Sequence, residues 1–310
     1  MKSIIVTGAT GSIGFECAKN IALLKTDKQL IITSRDMTDG NNVVKKIKQQ
    51  TTHKHIICLP LALDSLQSIK EFAELIATKK IQVSALINNA GIQVVGKTAY
   101  TKDGFEETFG VNHLGTLYFT LLLLPHLTND ARITFTASST HDPKQPTGMP
   151  PAVFSSVNKL AYPQNASDIS LKTGQIRYST TKLCNILTTY ELQKRLANTE
   201  MKVNAFDPGY VPGTGLARNY PTVIKFLNST LIKLAILLPI NIHSAKTSGK
   251  RLAKLAIGVI DSNAKGKYFE GEKEIKSSVD SYNQSFQKSL WEESIKLVGI
   301  SQNETTIYLT

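Results

Sequence analysis

The sequence predicts an α/β fold built on a doubly wound parallel sheet, in one domain that carries an insertion and a C-terminal extension. Three observations carry this. Short β-branched runs alternate with longer stretches of helical apolar spacing through the first two-thirds of the chain. A glycine-rich turn, Thr7-Gly8-Ala9-Thr10-Gly11-Ser12-Ile13-Gly14, follows the first such run at once and opens into a helical pattern. The 310 residues, 41% hydrophobic and 19% charged, suffice for a sizeable core, which excludes a disordered chain, a coiled coil or a collagen-like repeat.

The elements follow in order. An apolar run at Ser3–Thr7 meets glycine immediately, as a buried strand ending in a turn does. Further strands are expected at Leu30–Ser34, His55–Leu61, Ala85–Asn88, Arg132–Ala137 and Lys202–Phe206. Between them, helical spacing marks Gly14–Lys25, Asn41–Gln50, Ser65–Lys79, Asp103–Leu127 and Ile176–Ala197. Strands joined by helices of this length make βαβ units and a parallel sheet covered on both faces. With no internal repeat and no low-complexity segment, residues 1–310 read as a single domain.

Two segments break the alternation. Residues 141–177 hold five of the eleven prolines and little periodicity, and residues 210–244 begin with Gly and Pro and then turn apolar. Both follow the C-terminal end of an expected strand, where open α/β sheets bind ligands. The first is expected to be a lid over the active site and the second a substrate-binding lobe, the alternative being two surface insertions. Residues 271–310 are expected to form a helical extension.

Charge and cysteine content bear on class and compartment. The net charge of +12 is dispersed, with +4 in residues 1–50 and +4 in residues 221–310. Lys246, Lys250 and Lys254 with Arg251 suggest a basic stripe on a late helix, most simply a solvated face. No nucleic-acid motif accompanies it, so no nucleic-acid partner is expected, while peripheral contact with an anionic membrane is retained as an alternative. Three scattered cysteines, Cys17, Cys58 and Cys184, indicate reduced thiols and no metal-ligand set. With no signal-peptide pattern and an apolar stretch at 223–240 interrupted by Lys and Pro, a cytoplasmic protein is expected.

The glycine turn is the expected cofactor end. Gly8, Gly11 and Gly14 allow a tight turn and close approach of backbone to a pyrophosphate, and the helix start at Ser12 and Ile13 supplies free N–H groups and positive dipole. An acidic residue ending the second strand would accept a bond from a ribose 2′-hydroxyl; here the strand ends Thr33-Ser34-Arg35-Asp36. Arg35 has the fork and fixed charge that suit a 2′-phosphate, and Ser34 adds a donor, so NADP(H) is expected over NAD(H). Asp36 opposes this if it turns inward, and Arg35 has the alternative of pairing with a nearby carboxylate.

The expected catalytic end is Tyr178-Ser179-Thr180-Thr181-Lys182. In a helix, Tyr178 and Lys182 lie one turn apart on one face. An ammonium beside a phenol favours the phenolate and draws its pKa towards neutrality, as a general acid/base requires.

Read in order, Thr7 to Gly14, Asp64, Asn88-Asn89-Ala90-Gly91, Asn112, Ser138, Tyr178 with Lys182, and Pro208-Gly209 resemble the short-chain dehydrogenase/reductase family over about residues 1–270. The resemblance implies a Rossmann fold and a nicotinamide cofactor. It implies that Asp64 holds the adenine amine and that Asn89, Ala90 and Gly91 line the nucleotide. It further implies that Tyr178 passes the proton, Lys182 lowers the Tyr178 pKa and holds the nicotinamide ribose, Ser138 orients the reacting oxygen, and Asn112 steadies a relay water. Pro208, Gly209 and Thr214 are implied to cover the nicotinamide side. Ser138 is placed by its spacing from Arg132, with Ser139 as the alternative.

This sequence departs from the family pattern in two places. Ser12 stands where the middle glycine of TGxxxGxG is usual. Forty residues, rather than about a dozen, separate Ser138 from Tyr178. That insertion, Tyr178 to Asn185, Thr214-Gly215-Leu216, Ser248 to Leu252 and the tail from Trp291 resemble the light-dependent protochlorophyllide oxidoreductase branch, which has a cysteine where Cys184 stands. Cys184 is either a pocket residue or core packing.

The reading is an NADP(H)-dependent oxidoreductase that moves a hydride between nicotinamide and a carbonyl/alcohol or conjugated C=C of an apolar substrate. Light-dependent protochlorophyllide reduction is the first alternative, and a non-catalytic NADP(H)-binding redox sensor the second. Oligomeric state and reaction direction have no signature in the sequence.

Overall fold

Strands form at each of the expected places: β1 (Ser3–Val6), β2 (Gln29–Ser34), β3 (Ile56–Pro60), β4 (Val83–Asn88), β5 (Leu127–Thr136) and β6 (Lys202–Asp207). The structure, a computed structural model, describes residues 1–24, 27–213 and 241–309. Two further strands, β7 (Lys267–Glu270) and β8 (Lys273–Ile275), extend the sheet to the order β3-β2-β1-β4-β5-β6-β7-β8. All neighbours pair in parallel except β7 with β8, which form a short antiparallel edge. β1 and β4 are buried along their whole length, as strands of a parallel sheet covered on both faces must be.

One face is covered by α1 (Ser12–Leu23), α2 (Met37–Gln50) and α8 (Ala245–Ala256), whose Ile21, Ile47 and Leu252 pack against Ile4, Val6 and Ile32. The other is covered by α3 (Leu66–Thr78), α5 (Thr116–Leu123), α7 (Leu171–Arg195) and α9 (Gln284–Val298). Side-chain caps start several of these helices. Asp36 Oδ1 accepts from the N–H groups of Thr38 and Asp39 at 2.7 and 3.1 Å, and Ser170 Oγ accepts from Thr173 N at 3.2 Å.

Three elements differ from expectation. The single helix expected at Asp103–Leu127 is a short α4 (Glu107–Phe109), a wide π-helical turn (Gly110–Gly115) and α5, ended by Pro125. The helix of Tyr178 begins at Leu171, because Ser170 caps it, so the last residues of the 141–177 insertion belong to that helix. The rest of that insertion holds α6 (Val157–Ala161). The extension after residue 271 is not all helix, since β8 precedes α9. Most of the expected 210–244 lobe, residues 214–240, lies outside the described residues.

β2 and β3 run out from β1 on one side, and β5 to β7 run out from β4 on the other. The crevice at the carboxyl ends of β1 and β4 is therefore the topological switch point, and the site sits there.

Candidate active site

A cavity of about 330 Å³ opens at that crevice. Its floor is the glycine turn. Gly8 adopts φ +69°, and an added Cβ there would meet Ala90 Cα at 2.8 Å, while a Cβ on Gly14 would lie 2.2 Å from the Gly8 carbonyl oxygen. The turn is braced from behind: Asn89 Nδ2 donates to Thr7 O at 3.0 Å, and the N–H groups of Asn89 and Ala90 both donate to Thr7 Oγ1 at 3.0 Å. Gly11 begins α1 without a side-chain cap, so no side chain of Gly11 covers the first-turn N–H groups at Ser12, Ile13 and Gly14.

At the end near β2, Arg35, Ser34 and Asp64 line the cavity. Arg35 is exposed, and Asp36 is turned away to cap α2, so its carboxylate does not compete for the place in front of Arg35. Ser34 is committed elsewhere: its Oγ donates to Asp36 O at 2.6 Å. Glu107, which the sequence pattern did not single out, also lines this end. Burial and the nearby Asp64 carboxylate raise its pKa, and Arg35 pulls it back down.

At the other end, α7 brings Tyr178 and Lys182 to the same cavity, with Lys182 Nζ 5.3 Å from the centre of the Tyr178 ring. Lys182 is 4% exposed and donates to Thr136 O at 3.0 Å. Burial lowers its pKa from 10.5 to about 8, against the pull of the Asp207 carboxylate. Asp207 is itself buried, accepting from Tyr268 OH at 3.0 Å and Gly209 N at 2.8 Å.

Ser138 and Asn112 do not themselves line the cavity; each adjoins a lining residue in sequence, Ala137 and Val111. Ser138 opens a tight turn after β5, where its Oγ accepts from Thr140 N at 3.3 Å. Asn112 Oδ1 accepts from Ile92 N and its Nδ2 donates to Ile92 O, both at 2.8 Å, and to Thr181 Oγ1 at 3.1 Å. It ties the wall loop to α7. Pro208 lines the cavity, Gly209 adopts φ +72° just behind it, and Thr214 lies outside the described residues. Cys184 does not line the cavity; it is fully buried in the core, and burial pushes its thiol well up from the ordinary range. Thr136, Leu61 and Gln93 also line the cavity, without a sequence signal.

The donor set suits a nicotinamide dinucleotide. Ser12 Oγ, Asp64 Oδ1 and Thr136 Oγ1 are buried without a protein partner, and all three residues line the cavity, from the glycine turn to the Lys182 end.

The description short chain dehydrogenase matches residues 2–150. Human retinol dehydrogenase 13 is 32% identical over 309 residues, covering 96% of this chain and 85% of its own. The chain belongs to the short-chain dehydrogenase family. Human polyprenol dehydrogenase is also 32% identical over 309 residues, covering 96% of this chain and 84% of its own. Among solved structures, an actinorhodin polyketide ketoreductase with NADPH superimposes with a TM-score of 0.63 at 19% identity, over 87% of this chain and 95% of that one, a likeness of fold. The chain is thus an oxidoreductase of a nicotinamide-dependent family. Among the described residues no helix is long and apolar enough to cross a membrane.

Proposed function

We propose that this short-chain dehydrogenase is NADP(H)-dependent and interconverts a bulky apolar alcohol and its carbonyl compound. The observation that carries the reading is that Tyr178 and Lys182 face the same cavity as the glycine turn and Arg35. The bound dinucleotide supplies or accepts the hydride. Gly8, Gly11, Ser12, Ile13 and Gly14 cradle the pyrophosphate, Asp64 accepts from the adenine amine, and Asn89, Ala90 and Gly91 form the wall beside it. Arg35 reads the 2′-phosphate, and Pro208 and Gly209 close the nicotinamide side.

Tyr178 gives or takes the substrate proton. Lys182 favours the phenolate and bonds the nicotinamide ribose, and Ser138 orients the substrate oxygen. Asn112, its amide shared between Ile92 and Thr181, keeps the wall loop and α7 in register, with one Oδ1 lone pair left for a relay water. Retinol and polyprenol, named in two relatives, are both long apolar isoprenoid alcohols. We extend that substrate class to this chain. Conjugated C=C reduction needs the same proton donor and remains the second arm of the test. Among the described residues nothing in the site favours a light-dependent reaction.

The test follows nicotinamide absorbance with retinol, farnesol, decanal and a conjugated enone. Turnover of at least one is expected, and Tyr178→Phe should lower it by about 10²–10⁴-fold while leaving NADPH binding nearly intact. Retained turnover in that variant rejects the mechanism. Arg35→Ala should weaken NADPH by about 10–100-fold, the worth of one charge-assisted phosphate contact, and leave NADH nearly unchanged. Equal losses reject the cofactor assignment.

A further inference from the structure

His141, three residues past Ser138, has a place that the catalytic reading does not use. It is 2% exposed. Its Nδ1 lies 2.7 Å from Ser138 O, and its Nε2 lies 3.0 Å from the backbone N–H of Ser278. A carbonyl only accepts and an amide N–H only donates, so the ring holds one tautomer, protonated on Nδ1 and bare on Nε2. The imidazole therefore bridges the carbonyl of the serine two residues past β5 to the chain after β8, 137 residues away in sequence from His141.

The surroundings lock the ring. Tyr268 meets it edge to face at 5.1 Å, and the Tyr268 hydroxyl is itself fixed by Asp207. On the far side, Ser277 Oγ bonds Tyr190 OH at 2.6 Å, which fastens the same tail segment to α7, the helix of Tyr178 and Lys182. The end of β5, the tail and α7 thus share one buried joint, with His141 at its centre.

We infer that His141 is a positioning residue: by clamping the Ser138 backbone to the Ser278 segment, it holds the Ser138 hydroxyl at a fixed place relative to Tyr178. This rests on the role given to Ser138 above. The joint makes the C-terminal extension part of the active site's support, although no described tail residue lines the cavity. The His141 main-chain N–H also reaches Ser138 O, at 3.2 Å, so removing the imidazole leaves the turn formed but detached from the tail.

The experiment uses the full chain. His141→Phe keeps a ring against Tyr268 and removes both nitrogens, whereas His141→Gln returns one donor and one acceptor. In His141→Phe, the amides of Thr140 and Ser278 should exchange with solvent at least about tenfold faster, with residues 8–14 unchanged. NADPH affinity should stay within about twofold, while kcat on the best probe of the four above falls at least about tenfold with KM little changed. His141→Gln should recover part of both losses. In a Ser138→Ala background, His141→Phe should cost little further, because the two act as one unit.

Unchanged exchange at Thr140 overturns the inference, as does a loss of kcat that is undiminished in the Ser138→Ala background. If His141→Phe does not fold, His141→Gln carries the exchange measurement, and parental exchange at both amides with reduced kcat overturns the inference equally. Failure of the underlying reading is distinct, because it appears as persisting turnover in Tyr178→Phe.

Discussion

Lys182 shows how the chemistry of one residue opposes its own burial. Its ammonium has left water for a site where burial lowers the pKa to about 8. The unfolded chain holds that proton up to 10.5, so folding with the charge in place costs about 3 kcal/mol below pH 8, at ~1.4 kcal/mol per pKa unit. That cost fades as pH rises from 8 to 10.5. Lys182→Met should therefore be the more stable protein at pH 7, by on the order of 1–3 kcal/mol, and lose turnover. Thr136 O keeps the Asn185 amide at 3.2 Å, so the substitution leaves no orphaned carbonyl. Urea unfolding at pH 7 and pH 10 is the measurement, with the gap shrinking at the higher pH. Tyr178 and Lys182 were legible in the sequence because their relation is local, one helical turn. Glu107, Thr136 and Leu61 reach the cavity from three different strand-to-helix junctions, and no local spacing announces them.

Among elements, α7 does the most positioning, and its first turn shows how closely it sits. Gly174 lies where an added Cβ would stand 2.4 Å from Val94 O and 2.8 Å from Val95 Cα, both backbone atoms of the cavity-wall loop. Gly174→Ala should push the helix start off that loop, costing about 1–3 kcal/mol and lowering kcat, because Tyr178 follows one turn later; thermal unfolding and kinetics check it. The register of the helices on either side of the site was less legible. Asp103–Leu127 carries continuous apolar spacing, and only packing shows the wide turn inside it. At Gly115 an added Cβ would lie 2.2 Å from Leu63 O, so the chain approaches the loop after β3 more closely than any side chain permits. The antiparallel β8 escaped reading for another reason: three residues, Lys273–Ile275, carry too little pattern to register as a strand.

At the scale of the molecule, two buried neutral histidines fasten the C-terminal segment. His141 holds Ser278, and His113, next to Asn112, bonds Ser294 Oγ at 2.8 Å. Burial lowers both pKa values, that of His113 from 6.5 to about 3. A lowered folded pKa means that the unfolded chain takes up the proton first. The stability these groups contribute is thus complete above 6.5 and lost as pH falls towards their folded values. For His113 the slope reaches about 1.4 kcal/mol per pH unit. Glu106 and Asp207, raised by burial, act in the opposite sense, so the informative quantity is the difference between the parent and His113→Asn. Urea unfolding from pH 7 to 4 should show the parent losing more stability than the variant. The doubly wound class was legible from alternation alone, whereas the joint between tail and core depends on contacts between distant parts of the chain.

That joint also sets an order of events in the life of the chain. The glycine turn, Asp64 and the Asn89 brace are all made by residues 1–91, and Tyr178 and Lys182 follow within the next hundred. The bridge to Ser138 needs Ser278, and Thr305 Oγ1 closes on Leu121 O across 184 residues. A chain emerging from the ribosome therefore exposes its glycine turn and the Asn89 brace long before the His141 turn is fastened to the tail, so the last segment made is the one that closes the joint.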